Sequence, residues 1–291
     1  MVAKIPVIEQ CTVSGPFHKD ILVEDLAGYL ARNRNLVFPH RHNFYHFLLF
    51  TKGTGTFSLD FETFEVQPWR IYFMSPGQIH TWVFDEGVDG YIVNFDKDLF
   101  KTFLVRSEHV SYFSFFSGRA EDDVFTIKEE QRVSVLNIFE RLRQNMRELD
   151  FGRVSLLYLF HVLEKQRDPV ERLGANKINH ALLHNFMNLI EVHFSTLKLP
   201  KDYAALLYVT PNHLNAVTKE QLGYSAGELI RNRVLLEAKR LLVVKNYSIA
   251  EIAYELNFSD ASYFTKFFKK AVGCTPEEFK KNINLYTKKY E

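Results

Sequence analysis

The segment "IAYELNFSDASYFTKFFKKAVGCTPEEF", Ile252 to Phe279, decides the reading of this chain because an earlier segment repeats it. "YAALLYVTPNHLNAVTKEQLGYSAGEL", Tyr203 to Leu229, aligns with it once the later copy is allowed one extra residue after its turn. Ala204 then stands opposite Ala253, Leu207 opposite Leu256, and Thr210 opposite Ser259. Beyond the insertion Leu214 matches Phe264, Lys219 matches Lys269, Gly223 matches Gly273 and Ser225 matches Thr275. Such self-similarity marks one supersecondary unit used twice. In each copy a short helix carrying a small residue ends in a three-residue turn. Thr210 or Ser259 is then placed to N-cap a second helix, with Pro211 at N1 of the first copy. This is helix-turn-helix grammar, in which the second helix enters the major groove of DNA. The units are expected over about 203–223 and 252–273.

Working outward, the S/T-x-x-E spacing of Ser225 with Glu228, Ser248 with Glu251 and Thr275 with Glu278 predicts three capping boxes. Between the copies, Ile230, Val234, Ala238, Leu241 and Leu242 fall on one face of a helix. About 19 helical residues span roughly 28 Å, near the roughly 34 Å between successive major-groove entries on one side of a duplex. Residues 175–291 hold 16 Lys and Arg against 11 Asp and Glu, whereas residues 1–174 hold 20 against 24. The net +1 of the whole chain thus hides a basic C-terminal part, as a polyanion binder needs.

The first half reads differently. A chain of 291 residues is long enough for two domains, and 46% apolar with 24% charged residues is the composition of a globular protein. From about 20 to 96, runs of five to eight residues alternate between "KGTG", "QPW", "SPGQ" and "DEGVDG", the signature of an antiparallel barrel or sandwich. Val135, Ile138, Phe139, Leu142, Met146 and Leu149 predict one long amphipathic helix within 127–150. A second, over about 153–165, is apolar around much of its circumference and needs either the barrel or a second copy of the chain against it. "QRDPVERLGANK" (166–177) supplies a linker. The start lacks a signal-peptide pattern and no stretch has the roughly 18 apolar residues of a membrane span, so a cytoplasmic protein is expected. Cys11 and Cys274 are far apart and are expected reduced.

The second unit carries Ile249, Ala250, Ile252, Ala253, Phe258, Ser259, Tyr263, Phe264, Phe267, Lys269, Gly273, Thr275, Pro276 and Phe279. In these residues the chain resembles the AraC/XylS family of bacterial transcription regulators. The first half is similar to the cupin-like effector barrel of that family, followed by its pair of dimerisation helices. The resemblance implies an α+β protein of two domains: an antiparallel cupin-like β-barrel with a helical dimerisation pair over 1–167 (barrel about 20–96, helices about 127–167), a linker at 168–177, and an all-α double helix-turn-helix domain over 178–291. The implied partners are double-stranded promoter DNA, a small-molecule effector such as a sugar or related metabolite, a second copy in a homodimer, and RNA polymerase. No enzyme activity is implied.

Family DNA contacts carry over to Asn212, His213, Asn215, Ala216 and Lys219 in the first copy, and to Ala261, Ser262, Tyr263, Thr265, Lys266 and Lys269 in the second. Asn215 has the chemistry for a bidentate contact to adenine, and Lys266 for guanine or phosphate. Lys219, Lys269 and Lys270 suit phosphates. Ala216 departs from the long basic residue usual in the family, and Tyr208 stands where the turn favours Gly or another residue that tolerates positive φ. "FPHRHNFYH" (38–46) and "PGQIH" (76–80) hold four histidines. If one strand carries His40, His42, Phe44 and His46, all share a face. The spacing follows a metal-binding cupin pattern, except that His46 replaces the usual Glu and Phe84 the usual Asn. The family context favours an organic effector held by His42, His46, His80, Trp82 and Tyr91, with Trp69 a further stacking surface. No cofactor is expected on that reading; a metal held by His40, His42, His46 and His80 is the alternative. A cupin metalloenzyme built on the same histidines is the competing function.

Overall fold

The computed structural model describes residues 6–10, 20–33, 38–101, 103–104, 113–116, 120–166, 177–244 and 247–287. Cys11 and most of the expected linker lie outside these residues. The chain divides into two compact units, Pro6–Pro169 and a second whose described residues begin at Lys177. Among the described residues no helix is long and apolar enough to cross a membrane.

The first unit is built on two five-stranded sheets. One has the order β1 (Val7–Ile8), β3 (His40–His42), β8 (Ile79–Phe84), β5 (Gly55–Leu59), β6 (Glu62–Val66). The other runs β10 (Val124–Thr126), β7 (Arg70–Met74), β4 (Tyr45–Lys52), β9 (Asp89–Phe95), β2 (Ile21–Asp25). All pairings are antiparallel except β1 with β3. The expected cupin-like sheet domain is present, but among the described strands no ladder closes the sheets into a barrel. The chain bends at Asn43–Phe44 and passes from one sheet to the other. His40 and His42 therefore sit in the first sheet and His46 in the second, instead of on one continuous strand.

Leu22, Leu48, Phe50, Tyr72, Met74 and Ile92 of the second sheet bury against Phe57, Leu59, Val66 and Trp82 of the first. The alternate residues of the same strands, Ile21, Val23, Phe47, Leu49, Ile71, Phe73, Val93 and Phe95, bury against helices on the other side. The second sheet is thus a middle layer, apolar on both faces. Close strand approach is bought at Gly90, whose φ is 156° and where a Cβ would lie 1.9 Å from the Leu49 carbonyl oxygen. Two short helices, α1 (Leu26–Arg32) and α2 (Ala120–Asp123), flank the sheets.

The expected long helix over 127–150 is instead α3 (Glu129–Gln144), capped at Asn145, whose Nδ2 donates to the Arg141 carbonyl at 2.8 Å. Val135, Ile138, Phe139 and Leu142 are buried as the periodicity requires, while Leu149 opens the next helix, α4 (Leu149–Gln166). Leu156, Leu159, Phe160 and Leu163 of α4 pack on the middle sheet, leaving Val154 and Tyr158 exposed.

The second unit is helical: α5 (Lys177–His193), α6 (Pro200–Leu206), α7 (Pro211–Leu222), α8 (Ala226–Val244), α9 (Ile249–Glu255), α10 (Ala261–Val272) and α11 (Pro276–Thr287). The N-terminal part of α8 (Ala226, Leu229, Ile230) closes one core with Phe186, Tyr203, Ala204 and Leu214. Its C-terminal part (Ala238, Leu241, Leu242) closes another with Ile252, Ala253, Phe264 and Phe268. The repeat holds in the backbone of the turns and of the helix ends. Tyr208 and Asn257 take φ of 56° and 55°, the amides of Val209 and Phe258 donate to the carbonyls of Ala204 and Ala253, and Gly223 and Gly273 end α7 and α10 at positive φ. Thr210 caps α7 as expected. In the second copy the inserted Asp260, not Ser259, caps α10, its carboxylate accepting from the Tyr263 amide at 2.8 Å. The extra residue moves a carboxylate, a stronger acceptor than a hydroxyl, onto the cap position. Thr210→Ala is expected to lower the stability of the second unit by about 1 kcal/mol, read as a shift in its helical denaturation midpoint.

All three capping boxes form: Glu228, Glu251 and Glu278 accept from Ser225, Ser248 and Thr275, whose oxygens accept in return. These bonds hold the three glutamate carboxyls below their ordinary value of 4.5, and the Tyr263 amide holds Asp260 below its ordinary value of 3.8. A carboxyl lowered in the native state contributes stability above its unfolded value and loses it as pH falls through the native one. Far-ultraviolet circular dichroism is therefore expected to show the second unit weakening as pH drops below about 4.5. An unchanged denaturation midpoint on further acidification would contradict it.

Candidate nucleic-acid interface and effector site

On α7 the side chains of Asn212, His213, Ala216 and Lys219 are exposed, and on α10 those of Ser262, Tyr263, Lys266 and Lys269. Lys270 adds a further exposed cation beside Lys269. Leu214, Phe264 and Phe268 form the inward faces, so the capped start and the small residue at each helix crossing fix which face points out. Ala261 and Thr265 are half-buried. Asn215 is half-buried too, and its Oδ1 accepts from the Ala226 amide at 3.0 Å. That bond ties α7 to the start of α8 and engages one lone pair of the Asn215 amide oxygen. Asn215, Ala216 and Lys219 border a shallow pocket of about 380 Å³ with Pro200, Ser225 and Gly227. Tyr208, at positive φ in the first turn, is 96% exposed.

In the first unit the four histidines converge and all are buried. His40 and His80 are cross-strand partners on β3 and β8, and His42 lies two residues along β3 on the same face. Nitrogen atoms of His40, His42 and His80 lie within 4.8 Å of one another. His46 reaches in from β4 of the opposite sheet, its ring 4.8 Å from that of His42 and 5.6 Å from that of His80. Trp82 joins them, 5.4 Å from His40 and 5.8 Å from His80.

Tyr91 does not. On β9 it points to the helix side of the middle sheet, where its hydroxyl donates to Glu140 at 2.6 Å and its ring lies 5.0 Å from Phe139. Trp69 is also elsewhere, with the Arg132 guanidinium 4.9 Å above its ring. Asn94, two residues beyond Ile92 on the inner face of β9, takes the place near the histidines that sequence reasoning gave to Tyr91. It is fully buried and accepts through Oδ1 from His46 Nδ1 at 2.5 Å. Its signal was a lone amide in the apolar run "YIVNF". Tyr29 of α1 is likewise fully buried, 6.4 Å from His46, and burial pushes its phenol above the ordinary value.

The electrostatics fix the protonation. Burial lowers every imidazole below the usual histidine value, His46 to about 3 in spite of the opposing pull of Asn94. The four rings are neutral near pH 7. His40 Nδ1 lies 2.8 Å from the Phe38 carbonyl and His80 Nδ1 a longer 3.4 Å from that of Gln78. A carbonyl only accepts, so both Nδ1 atoms carry the proton, as does that of His46. Each Nε2 is left with a bare lone pair. These three Nε2 atoms and both ring nitrogens of His42 are buried without a partner.

Comparison with known proteins gives the class first. The family described as an AraC-like ligand binding domain matches residues 25–161, and that described as a helix-turn-helix domain matches residues 203–282. The chain thus joins a part similar to an AraC-like ligand binding domain to a part similar to a helix-turn-helix domain, the two-domain architecture of AraC-type proteins. It belongs to the AraC/XylS family.

Among its relatives, the regulatory protein PocR of Salmonella typhimurium is 27% identical over 179 residues, 52% of this chain and 59% of PocR. The HTH-type transcriptional regulator YfiF of Bacillus subtilis is 25% identical over 251 residues, 83% of this chain and 78% of YfiF. The match to PocR therefore spans little more than half of that relative. The crystal structure of ToxT from Vibrio cholerae aligns with 90% of this chain and 97% of its own at 14% identity, with a TM-score of 0.43.

Proposed function

We propose that the chain is a sequence-specific DNA-binding regulator whose first unit binds a small-molecule effector and thereby alters promoter engagement, and that it is a receptor and not a catalyst. The observation that carries this reading is the pair of exposed polar faces on α7 and α10, held by cores at the two ends of the 19-residue helix α8. One helical body carries two groove-sized elements about 28 Å of helix apart. Lys219, Lys269 and Lys270 supply sequence-independent phosphate contacts. In the first unit His42, His46, His80 and Trp82 form the receptor site, with Tyr91 excluded by its position.

Binding as a homodimer fits the outward stripe of α4, where Val154 and Tyr158 are 56% and 55% exposed one turn apart. Tyr158→Glu should yield a monomer in sedimentation if that stripe pairs two copies. Promoter DNA and RNA polymerase as partners place the protein in the cytoplasm. Selection of bound sequences from random duplexes by the full chain tests the function. A single enriched motif, bound with a steep loss of affinity as salt rises, is expected. Failure to enrich any duplex at low salt overturns the reading.

A further inference from the structure

We infer that His40, His42 and His80, with His46 facing them from the opposite sheet, form a binding site for one divalent late first-row transition metal ion, zinc being the representative. The inference rests on the reading of the first unit as a receptor and names the chemical class of its ligand.

Three observations carry it. The first is spacing. Nitrogens of three histidines lie within 4.8 Å of one another, a space suited to one atom between them and not to an organic ring. Zinc–nitrogen bonds of about 2.0–2.1 Å ask the side chains for a further small closure.

The second is polarity. The Nδ1 atoms of His40, His46 and His80 are engaged by Phe38, Asn94 and Gln78, while their Nε2 lone pairs are buried without a partner. An outward N–H on a carbonyl or amide is how metal-ligating imidazoles are oriented and their basicity raised. The unpartnered Nε2 acceptors of His40, His46 and His80 repel a carboxylate or phosphate and attract a cation. His42, stacked on Phe44 at 4.3 Å with both ring nitrogens free, can offer either one.

The third is ligand type. The cluster is all imidazole, the side chain most often found as a metal ligand. Imidazole suits zinc, copper, nickel and iron, whereas magnesium and calcium prefer oxygen donors. Because His46 belongs to one sheet and the other three to its partner, an ion held by all four joins the sheets.

The test uses the full untagged chain stripped with chelator and titrated with Co²⁺ and Zn²⁺. Both tryptophans, Trp69 and Trp82, lie in the first unit, and Trp82 touches two of the ligands, so its fluorescence reports the site directly. Expected are one equivalent of bound ion, quenching of Trp82 by Co²⁺, and visible Co²⁺ bands of a low-coordinate nitrogen site that Zn²⁺ displaces. His42→Gln and His80→Gln should weaken binding at least 100-fold. Asn94→Ala should weaken it roughly 10–100-fold by releasing the His46 ring, and His161→Gln, at an exposed position of α4, should change nothing. Circular dichroism and duplex binding of each variant control for folding.

Absence of saturable Co²⁺ bands in the stripped, folded protein overturns the inference. So does Trp82 quenching that only a hydroxylated organic compound produces. If the stripped protein still selects a duplex, the regulator reading survives that result. If metal binds as expected and no duplex is selected, the metal site stands and the regulator reading falls.

Discussion

Phe160→Ala is expected to destabilise the first unit by about 3–5 kcal/mol while leaving the helix-turn-helix unit folded. Phe160 is fully buried on α4, with the rings of Phe47, Phe73, Phe95, Phe113, Phe115 and Phe116 all within 6.3 Å of its own. Truncation removes the transfer energy of the ring and leaves a cavity lined by other rings, which are too rigid to collapse into it. A loss of that size is a large share of the 5–15 kcal/mol that holds an ordinary domain together. Because both tryptophans lie in the first unit, their fluorescence follows it alone. The tryptophan midpoint in urea should fall well below that of the wild type while duplex binding persists. Equal loss of both signals would mean that the two units unfold as one.

The second large effect falls on DNA binding. Lys266→Ala is expected to cost about 1–3 kcal/mol of specific affinity, up to a hundredfold, whereas Ala216→Ser in the matching place of the first copy should change little. Lys266 is exposed on α10 beside Ser262 and Tyr263, and the lysines at 269 and 270 continue the same basic end. On α7 only Lys219 is cationic, and Asn215 is engaged by the start of α8. The second helix-turn-helix copy is thus expected to carry most of the base-reading chemistry. Titration of wild type and variants against a selected duplex at two salt concentrations separates the roles. A base contact at Lys266 reduces discrimination between matched and mismatched duplexes. A phosphate contact instead lowers the salt slope by about 1 for both. Equal losses at positions 216 and 266 would remove the asymmetry.

The helical half was legible in the sequence because its determinants are local. Caps, small residues at the crossings and glycines at helix ends each act within a few residues. Even there Asp260 displaced Ser259 as the cap, since an insertion shifts the boundary by one without disturbing the periodicity. The sheet half was legible as strands and turns but not as sheets. Which sheet a strand joins depends on partners far away in the chain, and the bend at Asn43–Phe44 carries no strong turn signal. Sidedness failed at Tyr91 for a related reason. The middle sheet is buried on both faces, so inward and outward residues are both apolar, and alternation no longer separates them. The histidine cluster was found because four polar rings in an apolar text stand out, while Asn94, a single amide, did not.

The middle sheet has a mechanical consequence. On β4, His46 faces the histidine cluster and the next residue, Phe47, sits against Phe160 and Phe139 of the helix layer. On β9, Asn94 holds His46 while Val93 and Phe95 enter that same helix layer. Neighbouring residues thus look out on opposite compartments, and a strand cannot roll to follow one side without levering the other. The wall between the histidine cluster and the helix layer is one sheet thick, so a displacement of His46 reaches Phe160 of α4 through the neighbouring residue Phe47 and needs no long relay of side chains.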